Sequence, residues 1–203
     1  MRQTHEVNKL FRDVLTIVAP HVMLLTETNL PHEENISYFG DGDEARMVCQ
    51  VSLPPLLADA LFQGDARLLH RWLLYLDEPL PGTTFFNFTA SHDGIGIRPL
   101  EGLVPWERVA ALVTATEESG GRISVRRTPD GNDIPYELNV TYRDLLGTDQ
   151  SLVVDRFILS QAVMLSLAGI PGIYFHSLVG SGNDISGMEE SGIPRRINRQ
   201  KYD

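Results

Sequence analysis

The sequence predicts an α/β fold in which about four parallel strands form part of a (β/α)8 barrel. Strand-like apolar runs alternate with helix-like segments, which is typical of a parallel sheet with helical crossovers. Two of the runs, 21–25 and 84–88, are followed directly by segments that carry an acidic side chain. Catalytic groups of (β/α)8 barrels come from the carboxyl ends of several strands. A closed barrel needs eight strands and typically ~250 residues, so the four strands predicted in this chain of 203 residues indicate a half barrel with open sheet edges.

The first predicted barrel segment, residues 1–93, begins with an amphipathic helix that ends near Pro20. Apolar residues recur there at three- and four-residue spacing: Val7, Leu10, Phe11, Val14, Leu15 and Val18. Three apolar runs are predicted as strands: 21–25, 47–51 and 84–88. The stretch 31–44 is rich in charge, Asn and Gly, and is interpreted as a long loop.

Two helices are predicted between the second and third strands. Pro54 and Pro55 favour the first turn of one helix, where a missing N–H costs little. Asp65 is predicted to cap the next helix. That helix carries its apolar residues on one face: Leu68, Leu69, Trp72, Leu73 and Leu76.

Residues 94–150 are predicted to form a small inserted α+β subdomain, because no long helix follows the third strand directly. A helix is expected around 106–116. The turn sequence at 129–131 favours a hairpin between strands near 123–125 and 134–136.

Residues 151–203 complete the predicted barrel segment. A largely buried helix is expected over 153–167, with Gly169 just past its end. A fourth strand is predicted at 170–175, and a tail rich in Gly, Ser and Arg closes the chain.

The composition restricts the partners that the chain can have. Seventeen basic residues against 27 acidic ones leave a formal charge of −10, so nucleic acid and anionic membranes are not expected as partners. Charged residues interrupt any apolar stretch at the N-terminus, and no signal peptide is predicted. Cys49 is the only cysteine, which excludes an internal disulfide and fits a cytoplasmic location.

Two carboxylates stand out as candidate catalytic groups. Glu27 follows the first predicted strand, and Asp93 follows the third with His92 beside it. Retaining glycosidases use a pair of carboxylates, one as acid/base and one as nucleophile, and the residues alone suggest Glu27 and Asp93 as that pair. An exposed loop glutamate and a turn-capping aspartate are the alternatives. His32, Glu33 and Glu34 are clustered too tightly for good metal geometry, and no metal site is predicted.

Five stretches carry a resemblance to a known family. Segments 26–40, 85–99, 136–142, 170–184 and 195–199 resemble, in collinear order, regions of the sucrose phosphorylase-like subfamily of glycoside hydrolase family 13, in the α-amylase superfamily. The resemblance implies the second half of that family's catalytic barrel.

The resemblance also implies roles for individual residues and changes the assignment of Asp93. Glu27 matches the acid/base, and Asp93 matches the residue that stabilises the oxocarbenium-like transition state. His92 and Arg195 match residues that contact the bound glucosyl unit. Tyr136 lies in the stretch that matches the phosphate and acceptor loop.

The family's nucleophilic aspartate has no match in these 203 residues. The expectation is therefore a fragment, inactive by itself, of an enzyme that transfers a glucosyl unit from an α-glucoside to inorganic phosphate by double displacement. No metal or organic cofactor is expected. Two alternatives stay open: a hydrolase or transglucosylase on the same fold, and a non-catalytic sugar-binding module. The resemblance around Glu27 favours the branch acting on glucosylglycerate or phosphorylated sucrose.

Overall fold

A computed structural model describes residues 2–76, 78–147 and 151–202 and shows an α/β fold with two sheets. Short 3-10 helices lie at Ser37–Phe39, Arg98–Leu100 and Pro194–Asn198. The remaining elements, in chain order, are α1 (Arg2–Val18), β1 (Leu25–Thr26), α2 (His32–Ile36), β2 (Met47–Cys49), α3 (Leu53–Gln63), α4 (Arg67–Leu74), β3 (Thr84–Phe88), β4 (Ile95–Gly96), α5 (Trp106–Glu118), β5 (Arg122–Arg127), β6 (Asp133–Asn139), α6 (Tyr142–Leu145), α7 (Val153–Ser166), β7 (Ile170–Gly172), α8 (Phe175–Leu178) and α9 (Ile185–Ser191).

The larger sheet is parallel, in the order β1-β2-β3-β7. Strands that neighbour one another in the sheet therefore also follow one another among the parallel strands of the chain, as in a (β/α)8 barrel. Because all four strands run the same way, their carboxyl ends meet at one edge. The predicted partial barrel is confirmed.

The predicted strands are longer than those observed. The runs predicted at 21–25, 47–51 and 170–175 correspond to β1, β2 and β7, which are only two or three residues long, and β1 begins at the last residue of its run. A strand lasts only as long as its neighbour offers backbone partners, and β1 pairs with β2 through two residues. After β7 the chain turns into α8.

The stretch 31–44, predicted as a loop, contains α2 and a 3-10 helix, so that prediction is wrong in part. Asn35 is buried and donates its side-chain N–H to the carbonyl of Cys49 at 2.9 Å. Tyr38 and Phe39 pack with Val48 and Phe85 in a small core beside the sheet. These tertiary contacts order a polar stretch whose composition alone indicates a loop.

Two helices differ from their predicted burial. α7 buries only four residues, whereas Ile158 and Leu159 are exposed, so it is not largely buried. None of the residues 2–18 in α1 is buried, and its apolar stripe, including Phe11, faces solvent. Asp65 lies one residue before the N-cap of α4 and accepts the Arg67 amide at 3.1 Å.

The smaller sheet is antiparallel, in the order β4-β6-β5, and contains the predicted hairpin. The smaller sheet shares one hydrophobic core with the helices of the barrel segment. Fully buried side chains in that core include Leu57, Leu112, Leu138 and Met164. The division at 93/94 and 150/151 stays a prediction, and residues 148–150 lie outside the described residues.

Candidate active site

The predicted site residues come together at the carboxyl edge of the parallel sheet. A cavity of about 230 Å3 there is lined by Glu27, Asp93, Tyr136 and Arg195. Glu27 follows β1 and Asp93 follows β3, as their positions after strands predict. His92 lies outside this cavity. It lines a neighbouring one, of about 260 Å3 on the inner face of the sheet, which Glu27 also borders.

Asp93 is held by two arginines through a single carboxylate oxygen. Arg195 Nη1 and Arg199 Nη2 each donate to Asp93 Oδ1 at 2.8 Å. Asn198 Nδ2 donates to the Asp93 backbone carbonyl at 2.6 Å. The segment 194–199 therefore fixes both the side chain and the backbone of Asp93.

A second carboxylate, Glu137, meets Arg195 from the opposite side. Its two oxygens accept hydrogen bonds from Arg195 Nε at 3.0 Å and Nη2 at 2.7 Å. The Glu137 side chain is only 5% exposed, against 41% for Arg195. These hydrogen bonds are the main cause that raises the pKa of the Arg195 guanidinium, which stays charged in any case.

The glycines after Asp93 explain how these groups approach one another. β4 pairs antiparallel with β6, with Gly96 opposite Glu137. A Cβ atom on Gly94 would lie 2.6 Å from Glu137 Cγ and from the Leu138 carbonyl oxygen. Gly94 is required by this close approach of Glu137.

His92 reaches the site mainly through its backbone. Its side chain is 64% exposed, and Nε2 lies 3.6 Å from Asp93 Oδ1. Its carbonyl accepts a hydrogen bond from Arg199 Nε at 2.6 Å. The imidazole is therefore open to a ligand.

Tyr136 lines the cavity from β6, next to Asn29. Asn29 Nδ2 donates to the Tyr136 carbonyl at 3.4 Å, while a Cβ atom on Gly96 would lie 2.4 Å from Asn29 Oδ1. Asn29 Oδ1 is buried and has no hydrogen-bond partner within the described chain. Asn29 thus ties the loop after Glu27 to the loop that carries Tyr136.

Glu27 is exposed at the rim of the cavity, and Cys49 lies behind it in the neighbouring cavity. Burial, with a smaller contribution from the charge of Glu27, raises the pKa of the Cys49 thiol to about 12. The thiol is therefore protonated near neutral pH and cannot act as a nucleophile.

Sequence reasoning missed Glu137 and Arg199. Both lie within stretches that resemble the family, but no role was assigned to them. Gly94 and Gly96 were a signal for Glu137, because paired glycines permit close backbone approach. The contact of Arg199 with Asp93 joins residues 106 positions apart, and no local pattern indicates it.

No family model matches the chain, but it is similar in sequence to several phosphorylases. It is 52% identical to a glucosylglycerate phosphorylase of Allomeiothermus silvanus, over 98% of this chain and 37% of that protein. A glucosylglycerate phosphorylase of Escherichia coli is 46% identical, over 100% and 37%. A sucrose phosphorylase of Agrobacterium vitis is 31% identical, over 82% and 35%.

Among solved structures, sucrose 6F-phosphate phosphorylase from Thermoanaerobacter thermosaccharolyticum superposes with a TM-score of 0.74 at 25% identity, covering 89% of this chain and 34% of that one. The strand order and the site at the carboxyl edge define a partial (β/α)8 barrel. The chain belongs to the sucrose phosphorylase-like subfamily of glycoside hydrolase family 13. The chain spans about a third of the length of the curated relatives that it matches.

Proposed function

We propose that the chain supplies the acid/base part of a retaining α-glucoside phosphorylase, which transfers a glucosyl unit to inorganic phosphate. The observation that carries this proposal is the convergence of Glu27, Asp93 and Arg195 on one cavity at the carboxyl edge of the parallel sheet. The names of the relatives support the reaction type.

The first step breaks the glycosidic C1–O bond. Glu27 gives its proton to the leaving oxygen, while a nucleophilic carboxylate forms a covalent β-glucosyl ester. In the family that the chain resembles, that carboxylate belongs to an aspartate, and this aspartate has no counterpart in these 203 residues. In the second step phosphate attacks C1 and displaces the carboxylate, while Glu27 as base accepts a proton from the attacking phosphate. Because each of the two displacements inverts C1, the product keeps the α configuration.

Asp93, His92 and Arg195 act on the glucosyl unit itself. The carboxylate of Asp93 stabilises the positive charge that develops on the ring in both transition states, which a fixed charge does best in a preorganised site. His92 and Arg195 would contact sugar hydroxyls, and Tyr136 would contact phosphate or the acceptor. No step uses a metal or an organic cofactor.

Glycerate is the leaving group that we favour. Three relatives with 46–52% identity are glucosylglycerate phosphorylases, whereas the sucrose phosphorylase of Agrobacterium vitis is 31% identical. Since the chain covers about a third of each, the remaining residues of such enzymes also contribute to the choice of acceptor.

A chimera tests the function. The 203 residues replace the matching segment of the Escherichia coli relative, and the product is assayed with glucosylglycerate and phosphate. Release of α-glucose 1-phosphate is expected. Free glucose alone would favour a hydrolase, glucosyl transfer to a sugar would favour a transglucosylase, and sugar binding without turnover would favour a binding module; each would contradict the proposal.

The 203-residue chain by itself is expected to release no glucose 1-phosphate above background, because no residue in it is assigned as nucleophile. Phosphorolysis of sucrose or glucosylglycerate by the purified chain would contradict the assignment of Glu27 and Asp93.

We infer a reducing, cytoplasmic setting for this reaction. Cys49 is the only cysteine and is buried as a free thiol. Among the described helices, none combines the length and the apolar character that crossing a bilayer requires.

A further inference from the structure

We propose that Glu137 is a positioning residue, which clamps the Arg195 guanidinium so that Arg195 in turn fixes Asp93 toward the sugar. This inference rests on the proposed function and adds to it a residue to which the resemblance gives no role. The contact carrying it is the pair of hydrogen bonds, at 3.0 and 2.7 Å, between the Glu137 carboxylate and Arg195.

The burial of Glu137 indicates that its ion pair with Arg195 is an integral part of the fold and not a chance surface contact. A carboxylate that is 5% exposed is tolerated only when it is paired, because desolvating a charge is costly. Both oxygens of Glu137 are used by the same guanidinium. Its only charged partner within the described chain is therefore Arg195.

Because the guanidinium is planar, its pairing with Glu137 also fixes the orientation of the Arg195 side-chain nitrogens. When the edge formed by Nε and Nη2 is held by Glu137, the remaining Nη1 has a fixed orientation, and it donates to Asp93 Oδ1. A lysine in place of Arg195 could not hold both carboxylates in the same way.

The clamp leaves one oxygen of Asp93 for the ligand. Arg195 and Arg199 both donate to Oδ1, and no hydrogen bond from the described residues reaches Oδ2. Asp93 borders the cavity that Glu27 also lines. A carboxylate with one oxygen anchored and the other open suits a residue that must present charge to a sugar ring in a fixed position.

A double-mutant cycle in the chimera tests the role. Glu137→Gln removes the charge and one of the two accepting oxygens with little change in shape. It is expected to lower kcat/KM by about 10²-fold, the cost of a misplaced catalytic group, and equally for glucosylglycerate and α-glucosyl fluoride, because Asp93 acts on the ring. In an Asp93→Asn background the same substitution should cost almost nothing further.

Asp59→Asn provides the matched control. Asp59 is a buried carboxylate that also pairs with an arginine, Arg108, through Nε at 2.9 Å, but it lies outside the cavity. It should lower stability and leave kcat/KM unchanged in the folded enzyme. If Glu137→Gln multiplies the Asp93→Asn loss by another 10²-fold, or changes kcat/KM no more than Asp59→Asn, the positioning role is overturned.

A measurement on the 203-residue chain decides the geometry without any activity. In two-dimensional NMR, the Arg195 Nε–H proton should exchange slowly with water in the unmodified chain and faster in Glu137→Gln. It should exchange as slowly as before in Asp133→Asn, which removes an exposed ion pair outside the cavity. Unchanged exchange in Glu137→Gln would overturn the clamp. A chimera inactive with every substrate would contradict the proposed function, and the exchange experiment would still decide the clamp.

Discussion

At the scale of single residues, differences in burial distinguish three carboxylates of the site: Glu27, Asp93 and Glu137. Glu27 is exposed at the cavity rim, where a proton can pass to a leaving group. Glu137 is buried and saturated by Arg195. Asp93 lies between these extremes, with one oxygen anchored. The three carboxylates therefore have three different roles in the account.

The buried thiol gives a pH prediction at this scale. The pKa of Cys49 is raised from an ordinary 9.0 to about 12, mainly by burial. Between these values the unfolded chain loses the thiol proton while the folded chain keeps it, so the free energy of unfolding falls as pH rises above about 9. Denaturant titrations at pH 8 and 10 should show a smaller fall for Cys49→Ala. An equal fall in both proteins would contradict the raised pKa.

At the scale of elements, the sequence predicted the features of helices and turns that depend on residues close together in the chain. The prolines in the first turn of α3, the apolar stripe of α4 and the hairpin of β5 and β6 are confirmed. Strand lengths and the order within 31–44 were not predictable, because they depend on partners distant in sequence. The clamp was missed for the same reason, since the register of β4 on β6 brings Glu137 to Gly96 across 40 intervening residues.

The connection between α3 and α5 supplies a stability prediction. Arg108 on α5 pairs with Asp59 on α3 at 2.6 Å and reaches Asp65 Oδ2 at 3.1 Å. Removing one partner of a buried ion pair usually costs about 3–5 kcal/mol. Because Arg108 keeps Asp65 as a second partner, Asp59→Asn should cost less than that range but more than about 1 kcal/mol. Asp133→Asn, whose exposed pair with Arg127 is the matched control, should cost under about 1 kcal/mol. Similar losses of unfolding free energy for Asp59→Asn and Asp133→Asn in urea titrations would contradict the claim that burial makes the Asp59 ion pair more important for stability.

At the scale of the whole molecule, many large apolar side chains are exposed among the described residues. α1 exposes Leu10, Phe11 and Val14, and the inner sheet face exposes Leu25 and Ile173. Within the described residues, β1 and β7 are the edge strands of the parallel sheet, and each pairs with a neighbour on one side only. Open edges and exposed apolar faces promote association.

The 203-residue chain is therefore expected to self-associate. Sedimentation velocity should show a mass that rises with concentration in the micromolar range, and Phe11→Glu should weaken that rise, because it places a charge in the exposed stripe of α1. Trp106→Glu, on the exposed start of α5, serves as the control. A concentration-independent monomer would contradict the expectation.

The central claim, that Glu27 is the acid/base and Asp93 the transition-state stabiliser, is tested most directly by leaving-group dependence in the chimera. Glu27→Gln should lower phosphorolysis of glucosylglycerate by about 10²–10⁴-fold, the usual worth of general-acid help. With α-glucosyl fluoride, which needs no proton to leave, the loss should be far smaller, and azide should restore turnover as α-glucosyl azide. Asp93→Asn should slow both substrates by the same factor, because it acts on the sugar ring. The same leaving-group dependence in both variants would contradict the account.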